Sequence, residues 1–151
     1  MNGAERQVFT LEHTVRAEDP PLIADLLVQL SGLPKLRIKD AMQKGAVWHA
    51  RGSGKPVRQR RVTTPLKPGD RVQLHYDSQV LALVPPAARL VADCRRYSVW
   101  HKPAGLLVEG SRFGDHATLA AQVAALFTPR REVYLVHRLD LEASGLLVIA
   151  H

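Results

Sequence analysis

Past Pro20-Pro21, apolar residues recur at helical spacing. Leu22, Ile23, Leu26, Leu27 and Leu30 fall on one stripe, and Ser31-Gly32 closes it. Asp19, just ahead of the prolines, is the expected start signal. A second helix is expected from about 35 to 44, with Leu36, Ile38, Ala41 and Met42 partly inward and Gly45 as its stop. Upstream, Val8, Phe9, Leu11 and Val15 are possible strand positions in a polar segment. The period then changes. Ala46-Val47-Trp48-His49-Ala50 reads as a strand, and Leu66-Lys67-Pro68-Gly69-Asp70 as a turn feeding the alternating strand Arg71-Val72-Gln73-Leu74-His75-Tyr76. Residues 79–83 are expected to add one more strand before Val84-Pro85-Pro86 stiffens the chain into a linker.

Beyond the linker, 89–92 and 97–100 read as strands leading into Lys102-Pro103-Ala104-Gly105. That segment is a rigid turn, because proline fixes φ and glycine permits an unusual backbone. Residues 118–127 form a helix opened by Thr118 or Asp115 and stopped before Pro129, and 132–136 form a strand. The run Leu146-Leu147-Val148-Ile149-Ala150 is almost wholly apolar, which predicts a central strand covered on both faces and paired on both edges. The whole is an α+β chain, with an N-terminal segment 1–21, a first domain 22–84, a linker 85–88 and a second domain 89–151.

Hydrophobic content of 46% suffices for a core, and aromatics at 5% make that core mostly aliphatic. The net charge of +7 and a pI near 10.1 point to a polyanion, nucleic acid before membrane. The charge is concentrated. Residues 35–71 hold eleven Lys and Arg against two Asp, a net of +9, so the remainder of the chain is acidic. Lys35, Arg37, Lys39, Lys44, Arg51, Lys55, Arg58, Arg60 and Arg61 in that stretch can track successive phosphates and release counterions. A plain solvated face is the alternative. Trp48 offers a ring for stacking on a base, or a core aromatic bridging helix and hairpin.

A single cysteine, Cys94, allows no internal disulfide and favours a reducing cytoplasm. No apolar run is long enough to span a membrane, and no signal-peptide pattern is present. The seven histidines and the cysteine show no zinc-ligand spacing, and no Walker or dinucleotide glycine pattern occurs. Neither metal nor membrane is therefore expected.

Chemistry concentrates at His137-Arg138-Leu139-Asp140, followed by Ser144-Gly145 and the last apolar run. A carboxylate just before a core strand, with a guanidinium two residues away, has the ingredients of a nucleophile kept ionised by a cation. A capping or turning role for Asp140 is the other reading.

His137-Arg138-Leu139-Asp140 with Ser144-Gly145-Leu146-Leu147, and Lys102-Pro103-Ala104-Gly105-Leu106 upstream, resemble the two signature motifs of RluA-type RNA pseudouridine synthases. Ala143 stands where the family has Thr, which removes one hydroxyl that could brace the loop. The resemblance implies isomerisation of uridine to pseudouridine in structured RNA, ribosomal rather than transfer RNA, without cofactor or metal. Asp140 would be the nucleophile. Arg138 would occupy the vacated base stack or hold the flipped-out strand, unless it merely pairs with Asp140 or Glu142. His137, Lys102, Pro103, Gly105, Ser144 and Gly145 would support the site. Residues 22–76 are similar to the S-four-like RNA-binding domain, a small helix–helix–hairpin fold that commonly precedes this catalytic domain. The family's catalytic domain is longer than 89–151, so this stretch is expected to be its incomplete N-terminal part. The chain alone is then expected to be inactive. An RNA-binding module without catalysis, or a subunit completed by another chain, are the alternatives.

Overall fold

The computed structural model describes residues 4–151. They divide into two compact units, one of residues 4–82 with Ser111–Gly114, the other of Leu83–Gly110 with Asp115–His151. Both units are mixed α and β, and their sheets are antiparallel.

In the first unit, β1 (Val8–Thr14), β2 (Val47–Ala50), β3 (Val57–Arg58) and β4 (Arg71–Asp77) form a sheet in the order β1-β4-β2-β3. The expected N-terminal segment supplies β1, which pairs with β4 along its whole length. Helices α1 (Ile23–Ser31) and α2 (Lys35–Gln43) contribute the predicted apolar stripes. Ile23, Leu26, Leu27, Ile38, Ala41 and Met42 are buried with Val47, Val72 and Leu74. Each of these side chains larger than alanine stabilises the unit by about 1.5–3 kcal/mol. Gly32 ends α1 at φ 72°, a conformation that a side chain would strain.

Three expectations fail here for local reasons. Asp19 does not cap α1, whose N-cap is Leu22; its carboxylate accepts from the Arg16 N–H and pairs with His13 at 2.7 Å. Residues 79–83 do not form a strand. Asp77 accepts from the Gln79 and Val80 N–H groups and starts the short helix α3 (Ser78–Leu81). Leu36, placed on the inward face of α2, is 79% exposed.

In the second unit, β5 (Arg89–Asp93), β6 (Tyr97–Lys102), β7 (Tyr134–Leu135) and β8 (Gly145–Ala150) are ordered β5-β6-β8-β7. Helix α4 (Leu119–Leu126) is capped by Thr118, whose hydroxyl accepts from the Ala121 N–H. Leu119 and Val123 pack with Trp100, Leu106, Val108, Leu147 and Ile149. β8 is flanked by β6 and β7, but it is not covered on both faces. Leu147 and Ile149 are buried, while Leu146 is 59% exposed. Apolar residues on both faces hid an alternation that the antiparallel pairing imposes.

A hydrogen-bond chain crosses this sheet. Trp100 Nε1–H donates to Ser98 Oγ, and Ser98 bonds His151 Nε2 at 2.7 Å. His151 Nδ1 meets the Glu132 carbonyl at 2.8 Å. Indole can only donate and carbonyl only accept, so Ser98 Oγ accepts from Trp100 and His151 Nδ1–H donates to Glu132.

At the sheet edge the Arg131 guanidinium grips Asp93 through both oxygens, at 2.7 and 3.0 Å. That bond, followed by the Arg95 N–H, holds the Asp93 carboxyl down at about 2 against an ordinary 3.8. A carboxyl depressed in the folded state contributes stability above its unfolded value. That contribution is lost as pH falls from about 4 to about 2. Asp93→Asn is therefore expected to flatten the acid limb of stability in that window, read by unfolding titrations; an unchanged limb would show that the pair contributes nothing.

No helix of the described residues is long and apolar enough to cross a membrane.

Candidate functional site

The strand register brings the two sequence motifs together. Across β6 and β8, Lys102 lies opposite Gly145 and His101 opposite Leu146. The Lys-Pro-Ala-Gly turn and the His-Arg-Leu-Asp loop thus leave and enter the sheet at the same end.

Lys102 is fully buried. Its Nζ donates to the carbonyls of Pro103 at 3.0 Å, Leu106 at 2.8 Å and Leu141 at 3.2 Å. Burial pushes its ammonium below the ordinary lysine range, and the nearby Asp140 charge opposes that shift. Gly105, at φ 86°, aims its N–H at the same Leu141 carbonyl, 2.7 Å away. Two donors from the turn therefore fix the Leu141–Glu142 peptide, one residue beyond Asp140. The proline and glycine of the motif set the turn; the lysine fills it.

Asp140 is exposed, and its own carbonyl accepts from the Ala143 N–H in a tight turn. Its carboxylate thus stands in solvent on a loop whose backbone is held from beneath. Leu139 packs inward on the second core, against the position a Cβ would take at Gly145. Ser144 is exposed beside it. Arg138 is 73% exposed and pairs with Glu109 at 3.5 Å, rather than with Asp140 or Glu142. Such an exposed pair is weak and leaves the guanidinium available. Nothing in the sequence marks Glu109 as that partner. His137 accepts from the Val148 N–H at 2.9 Å.

The basic residues of the first unit divide into two sets. Arg37, Lys39, Arg51 and Lys55 are exposed. Others are engaged in the fold. Arg58 donates to the Gly45 and Ser111 carbonyls and stacks over Trp48 at 4.4 Å. Lys44 bonds Asp40 and the Leu81 carbonyl, Arg60 the Gln43 carbonyl, Arg61 the Thr63 hydroxyl, and Lys35 the Asp25 carboxylate. Trp48 is half-buried rather than core, with Arg58 on its ring and its N–H bonded to the Arg112 carbonyl.

Comparison with known proteins adds the following. Residues 96–151 match the RNA pseudouridylate synthase family. The chain is 34% identical over 131 residues to the ribosomal large subunit pseudouridine synthase C of Yersinia pestis. The match takes in 83% of this chain but 40% of that protein, so the chain spans well under half of its relative's length.

Proposed function

From residues 96–151 as a pseudouridine synthase family segment, we propose that the second unit carries the catalytic loop of an RNA uridine isomerase. Asp140 is its nucleophile. One observation carries the reading: the only carboxylate of the His-Arg-Leu-Asp motif is solvent-facing, on a loop pinned through Leu141 by the buried Lys102 and by Gly105. A nucleophile must be free at its oxygen and fixed at its backbone, and Asp140 is both.

The reaction breaks the uridine N1–C1′ bond and forms C5–C1′. The C5 proton leaves and N1 gains one, so the product is an isomer. Asp140 attacks either the ribose or the uracil ring. The base must leave its stack first, at a cost of a few kcal/mol. Arg138, exposed and weakly held, fills the vacated place or holds the displaced strand. Lys102, Pro103, Gly105, Ser144 and Gly145 keep the loop in position.

The first unit, two helices on an antiparallel sheet with a basic surface, is read as the S-four-like RNA-binding domain. Ribosomal RNA, which the Yersinia relative's name implies for that protein, is the proposed substrate.

The test uses RNA carrying tritium at uracil C5. The chain is assayed alone and fused in frame to the part of the Yersinia relative beyond the matched region. Tritium release that depends on Asp140 supports the isomerase. RNA retention without release from either protein supports a binding module instead. In the same experiment, charge reversal at Arg37, Lys39, Arg51 and Lys55 is expected to flatten the salt dependence of RNA binding, by roughly one unit of slope for each phosphate no longer neutralised. An unchanged slope would move the binding face elsewhere. Reversing Arg58 is a poor probe, since it also removes the support of Gly45 and Trp48.

A further inference from the structure

The catalytic loop is gripped from below on the far side of Asp140, at Leu141. On the near side its backbone leaves the sheet early, because β7 ends at Leu135, paired with Ile149. The next N–H of β8 on that side, from Val148, has lost its strand partner. It is met by the His137 ring, with Nε2 2.9 Å from the Val148 nitrogen. A side chain thus stands in for the backbone carbonyl that a longer β7 would have supplied.

We infer that His137 is a positioning residue for Asp140, a clasp that fixes the near end of the loop to β8 as Lys102 and Gly105 fix the far end. The inference rests on the reading of Asp140 as the nucleophile for its purpose, but not for its geometry. The chemistry of the bond is restrictive. Val148 N–H can only donate, so Nε2 must carry a lone pair and the ring proton must sit on Nδ1. An imidazolium, or the other tautomer, cannot make this bond. The loop's position therefore depends on one protonation form of a ring three residues from the carboxylate. This also separates His137 from a proton-transfer role. The nitrogen that would act as a base is already occupied by the sheet.

The experiment is carried out on the 151-residue chain by NMR, with no turnover required. Three signals are read: the ring nitrogens of His137, hydrogen exchange at the Val148 amide, and the carboxyl carbon of Asp140. In the parent chain Nε2 is expected without a proton and Nδ1 with one. His137→Leu, which has no acceptor, is expected to speed Val148 exchange about three- to tenfold and to displace the Asp140 carboxyl signal. His137→Gln, whose side-chain oxygen reaches the position of Nε2, should restore both.

Finding the proton on Nε2 in the parent chain overturns the clasp. So does unaltered Val148 exchange in the Leu variant. Faster exchange with an unmoved Asp140 signal overturns the positioning role and leaves His137 a local strand cap. Should the Leu variant fail to fold, the ring tautomer and the Gln variant still decide. An absence of tritium release in the assay above, with these signals as expected, counts against the isomerase and not against the clasp.

Discussion

Asp140→Asn is expected to reduce uridine conversion at least about a thousandfold while leaving RNA affinity within a few-fold. The substitution is nearly isosteric, and the loop does not depend on the carboxylate for its shape. Its turn is closed by the Asp140 carbonyl and the Ala143 N–H, and its backbone is held through Leu141 by Lys102 and Gly105. What changes is the oxygen proposed to make the covalent bond. An amide oxygen is a far poorer nucleophile than a carboxylate. On the proposed reading, affinity is largely supplied elsewhere, by exposed cations such as Arg37, Lys39, Arg51 and Lys55. Tritium release by the parent and variant fusion proteins, with filter binding at fixed salt, gives both numbers. Asp140→Ala guards against slow deamidation of the Asn form. Turnover retained in the Ala variant would remove Asp140 from the chemistry.

The second large effect is structural. Lys102→Met is expected to destabilise the second unit by about 2 kcal/mol, because the carbonyls of Pro103 and Leu106 lose their donor in the interior. An orphaned buried carbonyl costs about 1–3 kcal/mol, and relief of the desolvated ammonium offsets part of the total. The pH dependence gives a further sign. Burial lowers the Lys102 ammonium from its ordinary 10.5, so the unfolded chain binds more protons than the folded one between the two values. Stability should then rise with pH through that window, and the penalty is complete below it. The Met variant lacks this rise. Denaturation followed by Trp100 fluorescence in a Trp48→Phe background reports the second unit alone, since the chain's two tryptophans lie one in each unit. Equal stability of Met variant and parent would show that the three carbonyls are satisfied without the ammonium.

Much of this was legible in the sequence itself. The apolar stripes of α1 and α2 follow the 3.6-residue period, and Thr118 caps α4 as its side chain predicts. The two motifs could be read as chemistry, but not the reason they meet. That reason is the opposition of Lys102 and Gly145 across two strands. Long-range pairing leaves no local trace. The short helix α3 was missed because four residues are too few to show a period, and its cap, Asp77, lies at the end of a strand. The basic stretch gave a charge total without a division of labour. Only the fold shows that Arg58 and Lys44 are spent on carbonyls while Arg37 and Lys55 face water. Lys102 illustrates the limit best. Lysine is the residue least expected in a core, and only the ring of carbonyls around it explains its burial.

The opposition of Lys102 and Gly145 also sets what lengths this unit can tolerate. Everything between them is an excursion that departs from and returns to one rung of a ladder. Residues can be added or removed in its exposed turns without altering that rung. A single residue deleted inside β6 is different. It would turn Lys102 outward, bring His101 into the core and face the loop with the wrong side chain. The two strands behave as a ruler and the excursion as slack. Length variation in this unit should therefore accumulate around 128–132, and stop abruptly at the strand ends.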